Sequence, residues 1–140
     1  MLEQTKPDFS GDWRLNPQAS TLSPQVAAAV QSGSLRIEHD DLNFKCRMTI
    51  VLDGKPIDKA FELPSDGRET AGTHEGTRIV SSLTWDGEVL LAAWRIELPN
   101  GEMTMSWRYG LEEHGRRLAA AEQMRGGGHD QDNVWVFDRA

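Results

Sequence analysis

The sequence lacks the features that mark several large classes of protein. One of its 140 residues is a cysteine, Cys46, so no intrachain disulfide can form. No apolar run approaches the ~18–20 residues of a membrane-spanning helix, and residues 1–10 contain no signal-peptide core, so we expect a cytoplasmic protein with no membrane partner. The formal net charge is −7, which argues against a nucleic-acid partner because nucleic acids attract clustered positive charge.

Signatures of common enzyme classes are also missing. The sequence contains no Gly-x-Ser-x-Gly nucleophile elbow, no phosphate-binding glycine loop and no dinucleotide fingerprint. The paired carboxylates at 40–41 and 112–113 lie at predicted turns, where we expect solvated charge, because an acid–base dyad needs burial to separate its pKa values. Hydrophobic residues make up 38% and charged residues 26%. This balance indicates one globular domain over residues 1–140, and no cofactor is implied.

What the sequence does have is a regular series of turns. Pairs that end in glycine recur every 9 to 14 residues, at 53–54, 66–67, 75–76, 86–87, 100–101 and 114–115. Asp-Gly and Asn-Gly pairs favour tight hairpins because both central residues need positive φ. The spacing leaves one strand between successive turns and no room for a crossover helix. The pattern therefore predicts an up-and-down antiparallel sheet.

Alternation of apolar and polar residues marks the strands, and we count about ten. One segment, residues 23–31, is typical of a short helix, with Ser23 as N-cap, Pro24 at the first helical position and Gly33 as a stop. Because a long meander has two exposed edges, we expect it to close into a barrel whose end the helix covers, with ligand access beneath the helix. The alternating segments are residues 11–15, 35–40, 44–50, 57–63, 79–85, 88–98, 103–111, 118–124 and 134–139.

The two ends of the chain resemble a known superfamily. The segment Phe9-Ser10-Gly11-Asp12-Trp13-Arg14-Leu15 is similar to the Gly-x-Trp opening strand of calycins, the superfamily of lipocalins and fatty-acid-binding proteins. Residues 134–139 resemble the last strand of bacterial lipocalin-like proteins, while the helix position and strand number are closer to the fatty-acid-binding branch. The resemblance implies a barrel that binds a small molecule inside, closed by Trp13 beneath Arg139. The Arg-x-Tyr pair with which fatty-acid-binding proteins hold a carboxylate is missing from the last strand.

Inward-facing aromatic and methionine side chains are the candidate ligand-binding residues. A barrel of this size either fills with side chains or leaves a cavity for one small ligand, so these residues form either a packed core or an adaptable apolar pocket. Five of the ten aromatic residues are tryptophan, and Trp85, Trp94 and Trp107 are predicted to form one wall on consecutive strands. The full predicted set for a small apolar or amphipathic ligand is His39, Phe44, Met48, Phe61, Trp85, Trp94, Met105, Trp107 and Tyr109.

The histidines support an alternative hypothesis, a small barrel enzyme. His39 has inward parity among apolar residues, so it is either a hydrogen-bonded core histidine or a general base and ligand anchor. His74 and His129 belong to predicted turns at the same end of the barrel as the helix. With Glu75 and Asp130 they form a candidate metal-ligand set without the close spacing of known metal motifs. In this interpretation the three histidines serve a hydrolase or isomerase. The sequence leaves open the oligomeric state and a third hypothesis, a purely structural or partner-binding barrel.

Overall fold

The computed structural model describes residues 7–40, 42–126, 128 and 130–140, and it confirms the predicted all-β architecture. Within those residues one short helix follows the first of ten strands. No helix in the described part of the chain is long and apolar enough to span a membrane. The elements are β1 (Gly11–Leu15), α1 (Pro24–Ala29), β2 (Val30–Asp40), β3 (Asn43–Leu52), β4 (Lys55–Pro64), β5 (Thr70–His74), β6 (Thr77–Asp86), β7 (Val89–Leu98), β8 (Gly101–Glu112), β9 (Arg117–Arg125) and β10 (Gln131–Arg139).

The strands form one antiparallel sheet that curls into a nearly closed barrel. Its order is β4-β3-β2-β1-β10-β9-β8-β7-β6-β5, so the pairing of β1 with β10 joins the two ends of the chain. Strands β4 and β5 end the sheet, and β4 packs nearest to β6 across the remaining gap, which we call the seam. Because strand direction alternates, α1 and the turns after β3, β5, β7 and β9 share one end of the barrel, as expected.

Alternating burial along most strands separates the core from the outer face, whereas β5 is exposed throughout. In β3, Phe44 and Cys46 are buried, while Lys45 and Arg47, which alternate with them, are exposed. The outer face carries cross-strand ion pairs such as Arg36–Asp12 at 3.1 Å. Both side chains of that pair are more than half exposed, and exposed pairs of this kind contribute little to stability. The folding free energy therefore comes mainly from the apolar inward face.

The helix is shorter than predicted, spanning Pro24–Ala29 rather than residues 23–31. Val30 already has extended backbone angles, φ −73° and ψ 132°, and begins β2. The Ser23 side chain makes no capping hydrogen bond. Instead, the backbone N–H of Ser23 donates to Asn133 Oδ1 at 2.7 Å, which fixes the start of the helix to β10.

Trp13 closes the opposite end of the barrel, and the expected stack beneath Arg139 is confirmed. Trp13 is 1% exposed and its indole Nε1 donates to the Phe9 carbonyl at 3.0 Å. The Arg139 guanidinium lies 4.3 Å from the centre of the indole, so the pair makes a cation–π contact. Arg139 also donates to the backbone carbonyls of Ser10 and Gly115, at 2.8 and 2.9 Å. One side chain thus links the first strand, the β8–β9 turn and the last strand.

Candidate ligand-binding site

Register places every predicted ligand residue on the inward face. Across β3 and β4, Cys46 pairs with Phe61 and Met48 pairs with Lys59. Across β7 and β8, Trp94 pairs with Met105. Because side chains of directly paired residues point to the same face of a sheet, each of these pairs projects into the barrel.

One apolar cavity of about 180 Å³ lies between the β3–β4 and β7–β8 strand pairs. Larger surface concavities exist, including one of about 500 Å³, but that one runs along the outer face of β1–β3 among polar and charged residues. Six predicted ligand residues line the interior cavity, namely Met48, Phe61, Trp94, Met105, Trp107 and Tyr109, together with Cys46, Lys59 and Ala60.

The cavity opens beside the seam. Its lining includes no residue of α1, although access beneath the helix was expected. Its exposed members are Lys59 and Ala60, which belong to β4 at the edge of the sheet. The route from solvent to the cavity therefore passes the sheet edge rather than the helix.

The remaining three predicted residues, His39, Phe44 and Trp85, belong to a packed aromatic cluster with Phe9. The His39 ring lies 5.2 Å from Phe44 and 5.7 Å from Trp85, centroid to centroid. Phe9 stacks on Trp85 at 6.0 Å. None of these four residues lines the cavity. The predicted wall of three tryptophans is thus divided, because Trp94 and Trp107 line the cavity whereas Trp85 packs against this cluster.

His39 is held by ring contacts. Phe9 and Trp85 stack on it and Phe44 meets it edge to face. Among the described hydrogen bonds, the His39 backbone exchanges two with the Ser10 hydroxyl, and the imidazole makes none. The structure therefore places His39 in the core near the β2–β3 turn, away from the cavity lining, and a catalytic role stays a prediction.

The residues of the predicted metal set are only partly described. His74 is the exposed last residue of β5, and Glu75 follows it in the β5–β6 turn with φ 52°. Asp130 accepts a hydrogen bond from the Gly126 N–H at 3.1 Å, while His129 lies outside the described residues. Across the described ranges no three His, Cys, Asp or Glu side chains gather as metal ligands. The His74–His129 site therefore also stays a prediction.

Cys46 and Tyr109 form a buried polar pair in the cavity wall. Burial raises the pKa of the Cys46 thiol to about 12, and its hydrogen bond with Tyr109 opposes that rise. The pKa of Tyr109 is also raised, first by burial and then by the Cys46 side chain. Both groups are neutral at physiological pH, so Cys46 is suited to line an apolar pocket rather than to act as a nucleophile.

Sequence reasoning missed a second polar group, centred on Glu122. This carboxylate is 8% exposed, and its Oε1 accepts hydrogen bonds from Asn133 Nδ2 at 3.0 Å and Trp135 Nε1 at 3.1 Å. Trp135 therefore faces inward. The signal for Glu122 was present in the strand parity, since Leu118, Ala120 and Glu122 occupy successive inward positions of β9.

Comparison with known proteins gives matches in structure only. The sequence matches no protein-family model and no curated protein. Human cRBP IV is 20% identical to this chain, with a TM-score of 0.65. The match covers 96% of this chain and 99% of the cRBP IV chain. A secretory abundant heat soluble protein from Ramazzottius varieornatus is 15% identical, with a TM-score of 0.58 and 94% of each chain covered. A zebrafish ileal bile acid-binding protein in complex with cholic acid is 12% identical, with a TM-score of 0.59 over 94% of this chain and 98% of its own. These likenesses confirm the calycin-type fold.

Proposed function

We propose that this chain binds a small apolar or amphipathic molecule inside its barrel, in the cavity beside the seam. The observation that carries the proposal is the cavity itself, an apolar space of about 180 Å³ walled by aromatic and methionine side chains. A ligand that entered this pocket would remove the apolar surface of its walls from water, which favours binding. Structural neighbours support the same use of the fold, since one of them was solved with cholic acid bound.

The cavity volume limits the ligand. Ligand pockets commonly measure ~300–1,000 Å³, whereas an apolar cavity of ~150 Å³ is enough to hold benzene. At about 180 Å³, this cavity fits a one-ring molecule without rearrangement. A larger ligand would have to displace the flexible side chains of Met48 and Met105, which can adopt other rotamers at low cost.

The test is a calorimetric titration with benzyl alcohol, a neutral one-ring probe. We expect saturable binding at one site per chain. In Met105→Gln the affinity should fall by about fivefold or more, since an amide buried without a partner costs ~1–3 kcal/mol. The matched control is Met103→Gln, which places the same substitution two residues away on the inward face of β8 but outside the cavity lining.

Two results would contradict the proposal. One is the absence of saturable binding to the wild-type protein at probe concentrations that leave it folded. The other is an equal loss of affinity in Met105→Gln and Met103→Gln, which would locate the probe elsewhere. Thermal unfolding of both variants must be compared with the wild type, so that a loss of binding is not a loss of fold.

A further inference from the structure

Glu122 is a buried carboxylate without a cationic partner among the described residues. Both of its described hydrogen bonds come from neutral donors, the Asn133 amide and the Trp135 indole, and both end on Oε1. The described ion pairs all involve other carboxylates, most of them on the outer face. Burying a charge without a counter-ion is costly, and neutral hydrogen bonds offset only part of that cost.

The carboxylate does not line the cavity itself but is the cross-strand neighbour of a residue that does. Glu122 is the direct partner of Trp107 across β8 and β9, and facing Cα atoms of such a pair are ~4.5–5.5 Å apart. Trp107 lines the cavity, and so do Met105 and Tyr109, which occupy the adjacent inward positions of the same strand. The negative charge of Glu122 is also one cause of the raised pKa of Tyr109, after burial and the effect of Cys46.

Glu122 is also singular on the inward face. In the described strands, the register gives no other inward-facing Asp or Glu. The outward position next to it on β9 is Gln123, and the two inward neighbours are Ala120 and Met124. A barrel interior that carries one carboxylate amid apolar and aromatic groups is matched to a ligand with one positive charge.

We propose that the ligand of this barrel is a protonated amine, whose nitrogen binds the Glu122 carboxylate while its apolar part occupies the cavity. This inference rests on the function proposed above and adds the chemical class of the ligand. An ammonium group would donate a charge-assisted hydrogen bond to Oε2, the oxygen that receives no described bond. Trp94 and Trp107 line the cavity, and an indole face that met the ammonium would further stabilise it.

Lys59 is the charge that could oppose this preference. It lines the same cavity at its mouth and would attract an anion. Lys59 is exposed to solvent, so its field is screened by water and salt. Glu122 is enclosed, where the same unit charge interacts more strongly with a ligand. The balance of the two charges therefore favours a cation.

The experiment compares three one-ring probes that differ mainly in charge: benzylamine, benzyl alcohol and benzoate. Titrated at neutral pH into the wild-type protein, benzylamine should bind about tenfold more tightly than benzyl alcohol, and benzoate should bind most weakly. In Glu122→Gln the ratio between benzylamine and benzyl alcohol should fall to about one. The Gln carbonyl still accepts hydrogen bonds from Asn133 and Trp135. Its NH₂ group, however, is a hydrogen-bond donor and cannot accept a bond from the ammonium.

The control is Glu88→Gln, which makes the same substitution at an exposed position between β6 and β7 and should keep the wild-type ratio. If benzyl alcohol binds but benzylamine binds no more tightly, or if benzoate binds best, the amine inference is overturned and the proposed function stands. If benzyl alcohol does not bind, the proposed function itself fails. The wild-type ranking decides the question even if Glu122→Gln does not fold.

Discussion

Replacing Trp13 by alanine should remove the closure of the barrel end opposite the helix. The indole is 1% exposed, donates to the Phe9 carbonyl at 3.0 Å and supports the Arg139 guanidinium at 4.3 Å. Alanine would leave a cavity, an unpaired carbonyl and an arginine without its aromatic platform. All three effects destabilise the native state.

The magnitude follows from the burial. Truncating a buried tryptophan to alanine costs ~3–5 kcal/mol, and the cation–π contact and the indole hydrogen bond place Trp13 toward the upper part of that range. Domains have free energies of unfolding of ~5–15 kcal/mol, so this one change removes a large share. With an unfolding entropy of ~2.1 cal/mol/K per residue, we expect the thermal midpoint to fall by about 14–17 °C.

Urea unfolding monitored by far-UV circular dichroism measures the loss in free energy of unfolding without depending on tryptophan fluorescence. The matched control is Trp94→Ala, because Trp94 is only half-buried and faces the cavity. That variant should lose about 1–2 kcal/mol, well below the cost of a fully buried site. If Trp13→Ala lost no more free energy of unfolding than Trp94→Ala, the assignment of Trp13 as the closing residue would be refuted.

Two further predictions concern the interior polar groups. Burial raises the pKa of Cys46 to about 12, so almost no thiolate exists at pH 8. We therefore expect Ellman's reagent to label the thiol only after denaturation. Rapid stoichiometric labelling of the native protein would contradict this. In Asn133→Ala the Ser23 N–H and the Glu122 carboxylate each lose a hydrogen-bond partner. Amide hydrogen exchange in α1 should therefore accelerate by about tenfold. The control Asn43→Ala, at an exposed position, should leave the exchange rates of α1 unchanged. Equal exchange in the two variants would show that Asn133 does not anchor the helix.

The strand pattern was predictable because most strands have one buried face. In β3 the alternation of Phe44 and Cys46 with Lys45 and Arg47 marks both the strand and its facing. Strand β5 was not among the segments marked by alternation, since Thr70–His74 is exposed throughout and has no apolar face to show. The helix was predicted too long because Val30 continues the apolar pattern of the helix while its backbone already belongs to β2.

Which residues of the candidate site face the barrel interior was predictable from the sequence, but the position of an open cavity among them was not. Parity assigned Met48, Trp94 and Trp107 to the interior, and all three line the cavity. Parity could not separate these residues from His39 and Trp85, which share the face but pack against Phe9. Whether an inward side chain meets space or another ring depends on packing across the barrel, between strands far apart in the sequence. The position of the seam also depends on how the whole sheet closes, so the alternation within single strands could not predict it.

If a small molecule occupies the cavity that Trp94 and Trp107 line, the indole N–H resonances of these two residues will report its binding. Benzyl alcohol titrated into ¹⁵N-labelled protein should shift the signals of these two residues saturably, with one shared dissociation constant. The Trp13 signal at the barrel end should not move. Absence of saturable shifts at Trp94 and Trp107, or equal shifts at Trp13, would contradict binding in this cavity.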